Sequence, residues 1–113
     1  MNDCIFCKIV SGEIPANKLY EDEDMVAFFD MHPQAPTHFL VIPKKHINGP
    51  ADMGTDDIEL FGKIIKKASE LAHEKGIGSA FRMVINNGAG AGQTVFHTHL
   101  HVLGGRAMSW PPG

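Results

Sequence analysis

Val95-Phe96-His97-Thr98-His99-Leu100-His101-Val102-Leu103 places a histidine at every second position three times running. Such alternation predicts a β-strand, because successive side chains of a strand point to opposite faces. His97, His99 and His101 then line one side of a strand over 95–103, and Phe96, Thr98, Leu100 and Val102 form a core-facing row on the other. On a helix, His97 and His101 would be neighbours and His99 would point roughly away, which splits the set. The β-branched and aromatic flanks favour the strand.

Three imidazoles in a row have chemical consequences. Each has an ordinary pKa near 6.5, and adjacent positive charges oppose one another. The middle one, His99, is expected to stay neutral at neutral pH and to keep a nucleophilic nitrogen. A backbone carbonyl or a neighbouring imidazole can fix its tautomer and leave the other nitrogen aimed outward. That suits attack on phosphorus, with the flanking histidines donating hydrogen bonds to phosphate oxygens. A second chemistry is open to the same residues. An H-x-H pair on a strand can supply two zinc ligands, with His38 or His46 as a third, giving a zinc-dependent hydrolase.

Working outward, Gly88-Ala89-Gly90-Ala91-Gly92 precedes the histidines. A dinucleotide-binding fingerprint needs a strand before it and a helix after it, and here a histidine strand follows. Glycines let backbone approach a ligand closely, so the loop predicts a phosphate cradle with Gln93 and Thr94 at its entrance. Asp30 ends a strand, where a carboxylate either accepts two ribose hydroxyls or caps the following turn. Phe6, Ile9, Phe28 and Met31 serve equally as an apolar slot for a base or as core.

The remaining elements follow from periodicity and punctuation. Residues 3–11 read as a short helix ended by Gly12, and 14–17 as a turn. Strands are expected over 18–21 and 25–30, joined by Asp22-Glu23-Asp24. Pro33 and Pro36 keep 31–36 out of helix and central strand, and the next strand runs over 37–42. Thr55 is the expected N-cap of a long helix that stops at Gly76, with Ile58, Phe61, Ile64, Ile65, Ala68, Leu71 and Ala72 as its apolar stripe. A strand over 81–86, the glycine loop over 87–92, the histidine strand and an irregular tail over 108–113 complete the chain. These elements predict an α+β fold over 1–113 as one domain, with a mostly antiparallel five-stranded sheet, one long helix and one short helix.

Composition narrows the function. The 113 residues are 43% hydrophobic and 20% charged, ordinary for a globular domain. Ten Lys and Arg against thirteen Asp and Glu give a charge of −3, and the cations are scattered. A polymeric nucleic-acid partner needs a basic stripe, so none is expected. The longest apolar run, Met25 to Phe29, is far short of the ~20 residues of a membrane span. Met1-Asn2-Asp3 opens with neither a basic region nor an apolar stretch, so a cytoplasmic address is expected. Cys4 and Cys7 form a C-x-x-C pair, which in a reducing compartment points to redox or metal chemistry.

The stretch over 97–103 resembles the signature of the histidine triad (HIT) family, in which histidines alternate with hydrophobic residues. Ile5-Phe6 with Ile14-Pro15, Gln34-Ala35-Pro36-Thr37-His38, Val41-Ile42-Pro43-Lys44-Lys45-His46-Ile47, Gly104-Gly105-Arg106 and Trp110-Pro111-Pro112-Gly113 resemble the family's Hint branch. The resemblance implies a homodimer whose two sheets join into one of ten strands, with Trp110 near the partner's site. It implies hydrolysis of purine nucleoside phosphoramidates, AMP or GMP joined through nitrogen to an amine, with no cofactor required for catalysis. His99 would attack phosphorus between His97 and His101, His38 would support the proton network, and Thr94 would sit by the phosphate or leaving group. Asp30 with Met31 would bind the ribose, and Asn86, Gly92, Gln93 and Thr94 would line the phosphate site. Position 94 is Thr where Ser is common in this branch, and Thr98 stands where an aliphatic residue is usual. Related bacterial members imply a structural zinc on Cys4, Cys7, His46 and His97. Within the family, diadenosine polyphosphate hydrolysis and nucleotidyl transfer are the rival activities, against which the Trp-Pro-Pro-Gly tail argues. A nucleotide-binding scaffold is the rival outside enzymology.

Overall fold

The Cys4 thiol starts the first helix and Gly12 ends it. In the computed structural model, which describes residues 3–113, helix α1 spans Ile5–Ser11. Cys4 Sγ accepts the Cys7 N–H at 3.4 Å, which sets the start two residues later than expected. Gly12 takes φ +84°, the left-handed geometry that glycine adopts without penalty. Met1 and Asn2, on which the reading of a leaderless start rests, lie outside the described residues.

The five strands are β1 (Lys18–Glu21), β2 (Met25–Phe29), β3 (Thr37–Pro43), β4 (Phe81–Val84) and β5 (Leu100–Gly104). They form one sheet in the order β1-β2-β3-β5-β4, every neighbouring pair antiparallel. Asp22 builds the β1–β2 hairpin, its Oδ1 accepting the N–H of Asp24 at 2.7 Å and of Met25 at 3.0 Å. β4 stops two residues before the expected end, and Asn87 beyond it accepts the Ala51 N–H at 2.9 Å.

The histidine stretch departs most from expectation. Only Leu100 onward is strand, and 95–99 is irregular. The cause is local: both the N–H and the Oγ1 of Thr98 donate to the Ile47 carbonyl, at 2.7 and 2.9 Å. This ties the chain to the loop after β3 instead of to a strand ladder. Phe96, expected in the core-facing row, is 49% exposed. Of the three histidines, only His101 lies on a strand.

Side-chain alternation gives the sheet two apolar faces. Met25, Ala27, Phe39, Val41, Leu100 and Val102 pack on Phe61, Ile64, Ala68, Leu71 and Ala72 of helix α2 (Ile58–Glu74). Val26, Phe28, Leu40 and Ile42 pack on Phe6 and Ile9 of α1. Burying each of the Val, Leu, Ile, Phe and Met side chains contributes about 1.5–3 kcal/mol, so both helices are clamped to the sheet. Two details of α2 correct the sequence reading. Ile58 and Ile65 lie outside the buried stripe, 69% and 48% exposed. Thr55 opens a short 3-10 turn over Thr55–Asp57 instead of capping α2, and the Asp57 carboxylate accepts the Gly54 N–H at 2.9 Å. Among the described residues no helix is long and apolar enough to cross a membrane.

Candidate active site

The face of the sheet that carries α1 also carries the histidines. β3 and β5 are paired with Leu40 opposite His101 and His38 opposite Leu103, which sets His38 and His101 side by side. The Gln34 N–H donates to His38 Nδ1 at 3.0 Å. A neutral imidazole has one proton, so that of His38 sits on Nε2, which faces His101 Nδ1 at 3.0 Å and Asp30 Oδ2 at 3.5 Å. The closer acceptor takes it. His101 then bears its own proton on Nε2. Burial pushes the His101 imidazole down to about 4, helped by the neighbouring His99 and His38. Burial also lowers His38, against the pull of Asp30. At neutral pH both are therefore uncharged, and the His38–Asp30 approach is not an ion pair.

His99 is 6% exposed, and its Nδ1 lies 2.8 Å from the His97 carbonyl. A carbonyl can only accept, so Nδ1 carries the proton and Nε2 keeps its lone pair. Phe6 and His101 hold the ring edge-on at centroid distances of 5.1 and 4.9 Å.

Of the two parts expected of His97, its ring takes the one among the thiols and not the one at the phosphate. It is fully buried, and its Nε2–H donates to the Pro43 carbonyl at 2.7 Å. Its Nδ1 faces Cys4 Sγ at 3.4 Å and Cys7 Sγ at 3.5 Å. Neither nitrogen is left for a phosphate oxygen. What His97 gives the nucleophile is its carbonyl. Burial lowers its pKa, with the Pro43 carbonyl opposing.

The Cys4 and Cys7 thiols, His46 and His97 present four ligand atoms all within 4.8 Å of one another. His46 Nδ1 is 3.2 Å from Cys7 Sγ, and its Nε2–H donates to Asn48 Oδ1 at 2.8 Å. Both imidazoles thus spend the far nitrogen on an oxygen and turn a bare Nδ1 to the thiols. That is the second-layer arrangement of a tetrahedral Cys₂His₂ zinc site, and the residues present fit the metal. Asp30, His38 and His101 form a second close group, but both His38 nitrogens are engaged in its hydrogen bonds. His99 belongs to neither, so the triad does not converge on one ligand centre.

A cavity of about 320 Å³ opens over His99, with His101, Asp30, Asn86, Gly92 and Thr94 in its walls. It shares Ile5, Ile9, Phe28, Asp30 and Met31 with an apolar cleft of about 610 Å³ that continues to Ile14 and Phe29. Phe6, Ile9 and Phe28 are therefore core and cavity wall at once, and Met31 stands out, 88% exposed. Asp30 also does two things: Oδ1 caps the turn by accepting the His32 N–H at 2.7 Å, and Oδ2 faces His38. The glycine loop forms a 3-10 turn over Ala89–Ala91 between Gly88 and Gly92, both at positive φ. Gln93, expected at the phosphate, is buried away from the cavity. Its amide accepts from Gly88 N at 2.7 Å and donates to the carbonyls of Asn48 at 2.6 Å and Val95 at 3.1 Å. It braces the loop. Trp110 is 81% exposed and lies against Arg82, outside this chain's own cavity.

The HIT domain model matches residues 11–108. The chain belongs to the HIT family. It is 55% identical over 111 residues to an uncharacterized HIT-like protein of Synechocystis, covering 98% of this chain and 97% of that one. A HIT family hydrolase from Legionella pneumophila superposes with a TM-score of 0.96 at 52% identity, covering 98% of this chain and all of that one. A histidine triad protein from Clostridium difficile gives 0.91 at 42% identity, covering 96% of each chain.

Several groups that shape this HIT site were not visible in the sequence. The Gln34 amide and the Pro43 and Ile47 carbonyls are backbone groups, which no residue type advertises. Asn48 carried a weak signal, a side-chain acceptor two residues after a candidate ligand. Phe96 carried a misleading one, because alternation assigned it to the core.

Proposed function

We propose that this HIT protein is a hydrolase of the Hint type, cleaving the P–N bond of purine nucleoside 5′-phosphoramidates through a nucleotidyl-His99 intermediate. The observation that carries the reading is the 2.8 Å hydrogen bond from His99 Nδ1 to the His97 carbonyl, which leaves Nε2 bare over the cavity. The Legionella pneumophila relative's description as a hydrolase supports the reaction class.

The lone pair of His99 Nε2 forms the bond to the α-phosphorus. The P–N bond breaks, and the amine leaves with its electron pair and a proton from water. A second water attacks the nucleotidyl-histidine, AMP or GMP departs, and a proton returns to solvent. His101 Nε2–H donates to a phosphoryl oxygen as charge builds there. The apolar cleft takes the purine, the Asp30 carboxylate the ribose hydroxyls, and Thr94 with the backbone of Gly92 and the Asn86 amide the phosphate. Among the described residues no Lys or Arg lines the catalytic cavity. That favours an amine over a polyphosphate as leaving group, because nothing there offsets further negative charge.

Cys4, Cys7, His46 and His97 would hold a structural zinc, which when bound supplies folding energy and fixes the carbonyl that orients His99. The thiol pair suits a reducing compartment, and we assign the protein to the cytoplasm. It works as a homodimer with Trp110 reaching toward the partner's site. The test is to incubate it with adenosine 5′-phosphoramidate and follow release of ammonia and AMP. His99→Ala lowers kcat at least about a thousandfold; undiminished turnover in that variant removes the mechanism.

A further inference from the structure

Phe96 is a large aromatic side chain that the core does not use. It is 49% exposed and forms, with Asp3, Cys4, Ile5, Thr94 and Val95, the wall of a separate cleft of about 310 Å³. Ile5, beside it, is 46% exposed. This cleft shares Ile5, Thr94 and Val95 with the cavity over His99, whereas the purine cleft shares Ile5, Ile9, Phe28, Asp30 and Met31 with it. The two clefts meet at Ile5, which walls both, and diverge from there, one toward Asp30 and Met31 and the other toward Thr94 and Val95. With ribose and base assigned to the Asp30 side, the other wall faces the remaining substituent on phosphorus, the departing amine.

We propose that the cleft walled by Asp3, Cys4, Ile5, Thr94, Val95 and Phe96 is the leaving-group subsite and that it selects aryl or alkyl amines bearing a second, positively charged group. This rests on the phosphoramidase reading and specifies its substrate class. The apolar faces of Ile5, Val95 and Phe96 cover a hydrocarbon or aromatic body. Asp3 is the only carboxylate side chain, and no Lys or Arg stands, among the cleft's described walls, so the cleft attracts a cation and repels a carboxylate. The exposed Phe96 ring adds a face on which an aryl group stacks or an ammonium rests. The chemical step is unchanged: the amine that takes the P–N electron pair is the one this cleft holds.

The test uses the full chain and four adenosine 5′-phosphoramidates: that of ammonia, and those of 2-phenylethylamine carrying hydrogen, aminomethyl or carboxylate at the para position. Each kcat/KM is divided by that of the ammonia compound, so a general loss of folding cancels. Wild type is expected to rank aminomethyl above hydrogen above carboxylate. Asp3→Asn reduces the aminomethyl-to-carboxylate ratio about threefold, the scale of an exposed ion pair. Phe96→Ala reduces the ratio for all three aryl amines about fivefold. A wild-type ranking blind to charge, or variants that leave the ratios unchanged, overturns the subsite while leaving P–N cleavage standing. Failure to cleave even the ammonia compound overturns the reading beneath it, and the subsite with it.

Discussion

A neutral imidazole carries one proton between two nitrogens, and at His99 the His97 carbonyl draws that proton to Nδ1. The same logic runs through the pair behind it: one backbone amide, that of Gln34, fixes His38, and His38 fixes His101. The chain of assignments works only while these rings are uncharged, and the cost shows as pH dependence. His101 titrates near 4 in the fold but near 6.5 in an unfolded chain. Between those values the unfolded state binds more protons, so stability rises with pH across that window. His38 is shifted in the same direction. Urea denaturation from pH 7.5 down to 4 is expected to show stability falling from about pH 6.5 toward 4, with a shallower fall in His101→Gln. An equal slope in that variant would remove His101 as the source. Alternation in the sequence did reveal which histidines gather. It could not reveal that His97 turns its ring to the thiols, because that depends on Thr98 leaving the ladder for the Ile47 carbonyl.

Among the elements, α1 bears more on the site than its seven residues suggest. It carries Cys7 and is capped by Cys4, it packs Phe6 against His97 and His99, and it walls the cavity with Ile5 and Ile9. Gly12 and the apolar spacing made this helix legible, as periodicity did for α2. The end of α2 was read correctly at Gly76 (φ +81°), whereas its start was not, since Thr55 opens a 3-10 turn and the residue before the helix, Asp57, turns its carboxylate back to the Gly54 N–H and to Lys45. Besides its apolar packing, α1 meets the loops of β3 and β5 through the proposed Cys₂His₂ group. Cys7→Ser is therefore expected to lower bound zinc below stoichiometric and to cost about 2 kcal/mol, roughly 10 °C in melting temperature. Metal content is read by mass spectrometry and stability by calorimetry. A variant that keeps both a full metal complement and the parent melting temperature contradicts the assignment.

For the whole molecule, the sheet order leaves β1 and β4 as edges. Lys18 and Glu21 pair with each other on β1, and charged side chains discourage edge-to-edge pairing. β4 has Phe81 and Met83 half-buried against the core on which α2 also packs, and α2 exposes Ile58 and Ile65. We propose the β4 edge and the exposed isoleucines of α2 as the surface through which two copies join. Sedimentation is expected to give twice the chain mass of 12.3 kDa, and a charge at Ile65 (Ile65→Glu) to shift the mass toward one chain; a wild-type monomer at micromolar concentration contradicts it. The antiparallel sheet, its five strands and its two helices were all legible from apolar patterning and turn residues. The thiol–imidazole cluster of Cys4, Cys7, His46 and His97 was legible through the family resemblance, but the division of the rest into a reacting cavity and two clefts was not, because each is assembled from segments far apart in the chain.

The most direct measurement is to stop the reaction with adenosine 5′-phosphoramidate within milliseconds and map the trapped nucleotide by mass spectrometry under conditions that preserve P–N bonds. The account predicts an adenylyl group on the peptide containing His99, bonded to Nε2 and lost in His99→Ala. Turnover with no adduct under any trapping condition, or an adduct on His97 or His101 instead, contradicts it.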